Sequence, residues 1–200
     1  NKFKNVKNGS ELKLARSPKK TVQSFLKNFY DEDFDLRLDT LARMSRVSND
    51  ATILKLLSEN DILNGILQYV EKRNLDMERW DHCYQILENS LLKGFLEVLP
   101  NPVINRILKL VGSDAPIRNS SISLGLRILI FQASKKNLKC PVGFLKDLLP
   151  HIRKSDYPDV QDAAIKLINT LFLYPNSEKE QRMVYDFVTH PETIKAISRH

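Results

Sequence analysis

The sequence predicts an all-α chain of stacked helices, and three observations carry that expectation. Apolar residues recur at spacings of three and four along most of the chain, the signature of helices with one buried face. Turn-formers are sparse, with six Gly and nine Pro in 200 residues, and Val or Thr runs of period two are scarce. Strongly apolar helices return at intervals near 40 residues, the spacing of a repeat array.

Taken in order, residues 1–16 stand apart. Phe3, Val6, Leu12 and Leu14 lie among lysines, Asn8-Gly9 is a turn signal, and Glu11 to Ala15 alternates like a half-buried strand. This segment reads either as the last strand of a preceding β-containing domain or as a disordered linker. Ser17-Pro18 opens a helix carrying Val22, Phe25, Leu26 and Phe29, ending near Tyr30. Asp31, Glu32, Asp33 and Asp35 place acid at the next helix start, where the macrodipole favours it. That helix carries Leu36, Leu38, Leu41, Ala42 and Met44. Ser48 to Asp50 forms a loop and cap for a short helix with Ile53, Leu54 and Leu57. Asp61 caps a helix with Ile62, Leu63, Ile66, Leu67 and Val70, in which Gly65 costs about 1 kcal/mol unless a close helix contact offsets it.

From Met77 to Leu99 one long pattern runs through Trp80, Cys83, Tyr84, Leu87, Leu91 and Phe95, with Gly94 marking a kink or a close contact. Trp80 is a core residue in this reading, near its helix start. Pro100-Asn101-Pro102 breaks the chain, with Asn101 as cap and Pro102 as first helical residue, and Gly112 closes the helix through Val103, Ile104, Ile107, Leu108 and Val111. After a polar loop at 116–121, apolar residues from Ile122 to Phe131 run nearly all round a helix, so neighbours must cover it on several sides. Pro141 starts and Pro150 ends a helix with Phe144, Leu145, Leu148 and Leu149. Pro158 then opens the most strongly patterned helix, with Val160, Ala163, Ala164, Leu167, Ile168, Leu171 and Phe172, stopped by Pro175. Ser177 to Glu180 is a capping box for a helix with Met183, Val184, Phe187 and Val188. Pro191 opens a last helix through Ile194 and Ile197.

The segments at 38–45, 125–134 and 164–173 are central apolar helices, and the long helix at 77–99 fills the gap between the first two. Leu126 lies 88 residues after Leu38, and Ile165 lies 39 after Leu126. This period predicts an armadillo/HEAT-like right-handed helical solenoid over residues 17–200. Its predicted core includes Phe25, Leu41, Trp80, Leu87, Leu129, Leu167, Ile168 and Leu171.

Composition narrows function. Formal charge is +7. Residues 1–20 hold seven basic residues (Lys2, Lys4, Lys7, Lys13, Arg16, Lys19 and Lys20) against Glu11, leaving the remaining 180 near +1. A near-neutral helical body argues against nucleic acid as a partner. The seven basic residues are instead candidates for an anionic surface such as phospholipid, against the alternative of a solvated tail. No run is long and apolar enough for a membrane span, and the N-terminus has no signal-peptide core. The absence of an initiator Met suggests a piece of a longer protein. Cys83 and Cys140, without CxxC spacing, read as reduced thiols of a reducing compartment, with a disulfide as the alternative.

No phosphate-binding, zinc-protease or nucleophile-elbow motif occurs. His82, His151, His190 and His200 do not pair at ligand spacing, and the acidic cluster at 31–35 lacks the Gly and later Glu of a calcium loop. The expectation is therefore no catalytic residue, no cofactor and no metal.

Three segments resemble the ELMO (engulfment and cell motility) family: KNGSELKLARSP at 7–18, LARMSRVSNDATILKLLSENDILNGILQYVE at 41–71, and DLLPHIRKSDYPDVQDAAIKLINTLFL at 147–173. The last carries the most specific features, Pro150-His151, Ser155-Asp156, Gln161 and the run Ile168 to Leu173. The spacing from Ser155 to Gln161 is a residue longer than in the family, and the turn at 72–76 is shorter. The chain thus resembles a divergent, invertebrate-type member. The resemblance implies that residues 1–16 are the remnant of a ubiquitin-like Ras-binding domain and the rest an armadillo-like region. It implies a non-catalytic adaptor that acts with a DOCK-family exchange factor and a Rho-type GTPase, Rac, in uptake of apoptotic cells and cell migration. It further implies engulfment-receptor tails or intramolecular domains as partners, and a cytoplasmic protein recruited to the plasma membrane.

Overall fold

The structure, a computed structural model, describes residues 17–30, 33–72, 77–112, 118–141, 143–153 and 156–198. Among these residues there are eleven helices and no strand. They are α1 (Pro18–Phe29), α2 (Phe34–Val47), α3 (Ala51–Glu59), α4 (Ile62–Lys72), α5 (Met77–Leu92) and α6 (Asn101–Val111). The remainder are α7 (Asn119–Ser134), α8 (Phe144–Ile152), α9 (Pro158–Leu173), α10 (Glu178–Thr189) and α11 (Pro191–Ile197).

Packing sorts them into two rows. The long helices α2, α5, α7 and α9 lie side by side, each against the next. These are the apolar helices that the 40-residue period singles out. The shorter helices α4, α6, α8 and α11 form the second row, with α1 and α3 covering one end and α10 packed on α9, α8 and α11. Each unit covers the apolar face of the previous one, which is the construction of an all-α solenoid. The core runs between the rows. Phe25, Leu41, Trp80, Leu87, Leu129, Leu167, Ile168 and Leu171 are all buried, and the Trp80 ring lies 5.0 Å from that of Tyr84. α7 packs against α5, α6 and α9, which is why Ile122, Leu124, Leu126, Ile128 and Leu129 can be buried on one helix.

Local chemistry explains most of the boundaries. Pro18 and Pro158 occupy first-turn positions. Asp33 accepts hydrogen bonds from the amides of Asp35 (2.9 Å) and Leu36 (3.1 Å), so it acts as a cap. Asp50 likewise receives the amides of Thr52 and Ile53. Gly65 sits where an added Cβ would lie 2.7 Å from the Tyr30 hydroxyl and 3.0 Å from the Phe29 ring. That close approach of α1 to α4 accounts for a glycine inside a helix. The strand at 11–15, the turn at Asn8-Gly9, and Asp31 and Glu32 lie outside the described residues.

Five boundaries differ from the sequence reading, one of them the start of α7 at Asn119, inside the loop expected at 116–121. The helix expected over 77–99 stops at Leu92. Gly94 has φ +75°, and the Phe95 amide turns back to the Ser90 carbonyl at 2.9 Å, a Schellman ending that the apolar spacing beyond it conceals. Asn101 is not the cap of α6: Pro100 holds that position in extended geometry, and Asn101 begins the helix. α8 begins at Phe144, after Gly143 with φ +101°, rather than at Pro141. It also continues past Pro150 to Ile152, because a proline in the final turn forfeits only one intrahelical donor. The Ile152 carbonyl is taken by the Gln161 side chain at 2.7 Å.

Candidate interaction surface

Polar side chains join consecutive units at nearly constant offset. Asn137 Nδ2 donates to the Leu99 carbonyl at 3.0 Å, and 39 residues later Asn176 Nδ2 donates to the Leu138 carbonyl at 2.6 Å. His151 Nε2 donates to the Val111 carbonyl at 2.7 Å across an offset of 40. The Cys140 amide donates to Glu180 Oε1 at 2.9 Å, also at an offset of 40. Glu180 also serves the start of α10. Its amide binds Ser177 Oγ at 3.2 Å, although its carboxylate takes the Asn176 amide, at 2.6 Å, rather than that of Ser177.

The long-helix row has its own ladder. Ser45 pairs with His82 (3.0 Å), and Asn89 Nδ2 donates to Ser48 Oγ (2.7 Å), linking α2 to α5. Asp81 receives the hydroxyls of Ser120 (3.1 Å) and Ser121, with Arg118 at 3.8 Å. Arg127 donates twice to Glu88, at 2.5 and 3.0 Å. Both sets advance along their two helices in the same direction, so α2, α5 and α7 run parallel. Such bidentate, charge-assisted pairs fix geometry as well as adding energy.

Beside the Arg127–Glu88 pair lies a cavity of about 400 Å³. α7 supplies Ser123 and Arg127, α5 supplies Gln85, and the start of α9 supplies Asp156, Tyr157 and Asp159. The Ser123 hydroxyl is buried and has no hydrogen-bond partner, a state that costs about 1–3 kcal/mol unless a partner arrives. Tyr157 is half exposed at the opening. The site offers hydrogen-bond donors and acceptors of both charge signs on a rigid helical base, which suits recognition of a polypeptide surface. A second cavity, about 560 Å³, lies between α8 and α10–α11, with apolar walls of Leu145, Leu149, Met183 and Phe187.

Of the seven basic residues singled out in the sequence, Lys19 and Lys20 are exposed at the start of α1. Lys2, Lys4, Lys7, Lys13 and Arg16 lie outside the described residues. Cys83 and Cys140 are not linked by a disulfide. Burial, and then the neighbouring Glu180 carboxylate, push the Cys140 thiol up to about 12. Burial, aided by Cys83 and opposed by Arg106, raises the Tyr84 phenol well above its usual range. Neither group is poised as a nucleophile. Among the described residues no set of three or more His, Cys, Asp or Glu is placed to hold a metal ion, and no helix is long and apolar enough to cross a membrane. The Ser123 cavity has no sequence signature, because its residues come from three helices. Only the repeat period could have pointed to this row.

No family model matches the chain. It is similar to human engulfment and cell motility protein 1, with 24% identity over 195 residues that cover 89% of this chain and 27% of the relative. Human engulfment and cell motility protein 2 is 23% identical over 195 residues, covering 91% of this chain and 26% of the relative. The mouse form of protein 2 is 22% identical over 189 residues, covering 88% and 25%. The chain thus spans about a quarter of the length of the curated relatives it matches, and its similarity to engulfment and cell motility proteins extends over nearly all of its own length.

Proposed function

We propose that this chain is the helical-repeat interaction module of a non-catalytic adaptor of the engulfment and cell motility type. In that role the whole protein works in the cytoplasm with a DOCK-family exchange factor to activate Rac, and is recruited to the plasma membrane during uptake of apoptotic cells and cell migration. The module itself holds a partner polypeptide, either a receptor tail or a flanking domain, against the long-helix row. The observation that carries this reading is the similarity over some nine-tenths of the chain. The open groove with its unpartnered Ser123 hydroxyl supplies a surface for it.

The test uses exposed groove residues, so that the fold is spared. The triple variant Asp156→Lys, Tyr157→Ala, Asp159→Lys is expressed in the full-length protein, in phagocytes depleted of the endogenous form. The variant keeps a cooperative melt, lowered a few degrees by the reversed charge at the start of α9, but gives severalfold less apoptotic-cell uptake and GTP-loaded Rac than the parent. Rescue equal to the parent overturns the groove as the binding surface. Failure of the parent itself to support uptake overturns the adaptor assignment.

A further inference from the structure

The loops that follow the long helices form one continuous edge. The loop after α5 is tied to the loop after α7 by the Asn137–Leu99 bond, and that loop to the segment after α9 by the Asn176–Leu138 bond. Exposed cations line this edge at Lys93, Lys136, Lys139 and Lys179, with Lys135 beside them, against the acids Glu97 and Glu178. Four large apolar side chains are exposed along it as well. They are Leu92 (66% exposed) and Leu173 (68%), at the matching last positions of α5 and α9, with Val98 and Tyr174 (both 45%). The opposite edge carries exposed Asp33 and Asp35 at the start of α2 and Asp156 and Asp159 at the start of α9, with exposed Arg118 at the start of α7 between them.

We infer that this edge docks on an anionic phospholipid surface. Lysines interleaved with exposed leucine and tyrosine match an interface in which cations meet headgroup phosphates and apolar tips enter the headgroup–acyl boundary. The opposite edge, where acids outnumber the exposed Arg118 and no lysine row occurs among the described residues, favours the orientation in which the lysine edge faces such a surface. The inference concerns a different set of residues from the basic N-terminal segment, and it does not depend on the adaptor reading.

The experiment is co-sedimentation of the full 200-residue chain with phosphatidylcholine vesicles that contain phosphatidylserine. Lys2, Lys4, Lys7, Lys13, Arg16, Lys19 and Lys20 are all changed to Gln in every sample, which removes tail-driven binding. Adding Lys93→Gln, Lys136→Gln and Lys139→Gln is expected to weaken partitioning about a hundred-fold, at roughly five-fold per lysine near an anionic surface. Leu173→Ser with Tyr174→Ser is expected to weaken it as well and to melt like the parent, and every variant keeps a cooperative melt because every substituted side chain is exposed or lies in the N-terminal tail. Four results overturn the inference: no sedimentation of the tail-neutralised chain, no loss in the edge variants, equal binding to pure phosphatidylcholine, or capture by soluble polyglutamate without binding to vesicles.

Discussion

Removing Arg127 should expose how much the long-helix ladder contributes to the fold. Glu88 has a side chain only 11% exposed, and Arg127, 46% exposed, supplies its two hydrogen bonds at 2.5 and 3.0 Å. In Arg127→Met the carboxylate stays under α7 without its partner. Stranding one member of a fully buried pair costs about 3–5 kcal/mol. Nearly half of the Arg127 side chain is already in water, and solvent screens the pair accordingly, so the expected loss is about 2 kcal/mol. For a chain of this size that lowers the melting temperature by about 4–8 °C. Glu88→Gln in the same background removes the stranded charge and should restore about half of the loss. The assay is a double-mutant cycle by urea denaturation with Glu88→Gln, Arg127→Met and the double variant. A coupling of about 1 kcal/mol or more fits the ladder. Effects that add within about 0.3 kcal/mol would refute the idea that this pair joins α5 to α7 energetically.

Three further outcomes follow from burial and packing. Cys140 has a folded-state pKa of about 12 against a usual 9, so between those values the folded chain holds a proton that the unfolded chain has lost. Stability therefore falls as pH rises above 9, by up to about 1.4 kcal/mol per pH unit from this group; urea melts at pH 8 and 10 should show a smaller fall for Cys140→Ser, and equal falls would contradict the assignment. At Gly125 an added Cβ would lie 3.3 Å from both Ile107 Cγ2 and Val111 Cγ2, so Gly125→Val should cost about 2 kcal/mol through overpacking of α7 on α6, and a variant as stable as the parent would refute that contact. Leu167 is fully buried on α9, so Leu167→Asp should abolish the cooperative melt of the C-terminal units seen by circular dichroism; an unchanged melt would mean that α9 presents another face to α7.

The repeat was legible because it is written in apolar spacing. The period linking Leu38, Leu126 and Ile165 located three of the four stacked helices, and the pattern through Trp80 and Leu87 located the fourth. Helix ends were less legible, because apolar spacing can continue after the helix has stopped. Phe95 and Leu99 keep the rhythm of α5, yet Gly94 has already turned the chain. Pro150 misled for the opposite reason, since a strong breaker is tolerated where only one donor is lost. The groove was not legible at all. Gln85, Ser123 and Asp159 are unremarkable in sequence, and only the parallel stacking of α5 and α7, with the start of α9 beside them, brings them to one cavity.

Parallel stacking also has an electrostatic consequence that separates two explanations of the basic edge. Helices lying side by side in one direction place their positive ends on one edge and their negative ends on the other. Acids at the starts of α2 and α9 and lysines after the ends each relieve this by about 0.3–1 kcal/mol. Some segregation of charge is therefore a folding effect, whatever binds there. Leu92 and Leu173 have no such explanation: they sit at the last positions of α5 and α9, where a polar residue such as Ser134 of α7 serves the helix equally well. The two substitutions thus have different signatures. Lys93→Gln with Lys139→Gln should lower both stability, by about 1 kcal/mol, and vesicle binding. Leu173→Ser should lower vesicle binding and leave the urea midpoint where it was. If Leu173→Ser instead destabilises the chain and leaves sedimentation unchanged, the leucine belongs to the packing of the solenoid, and the lysines answer only to the helix dipoles.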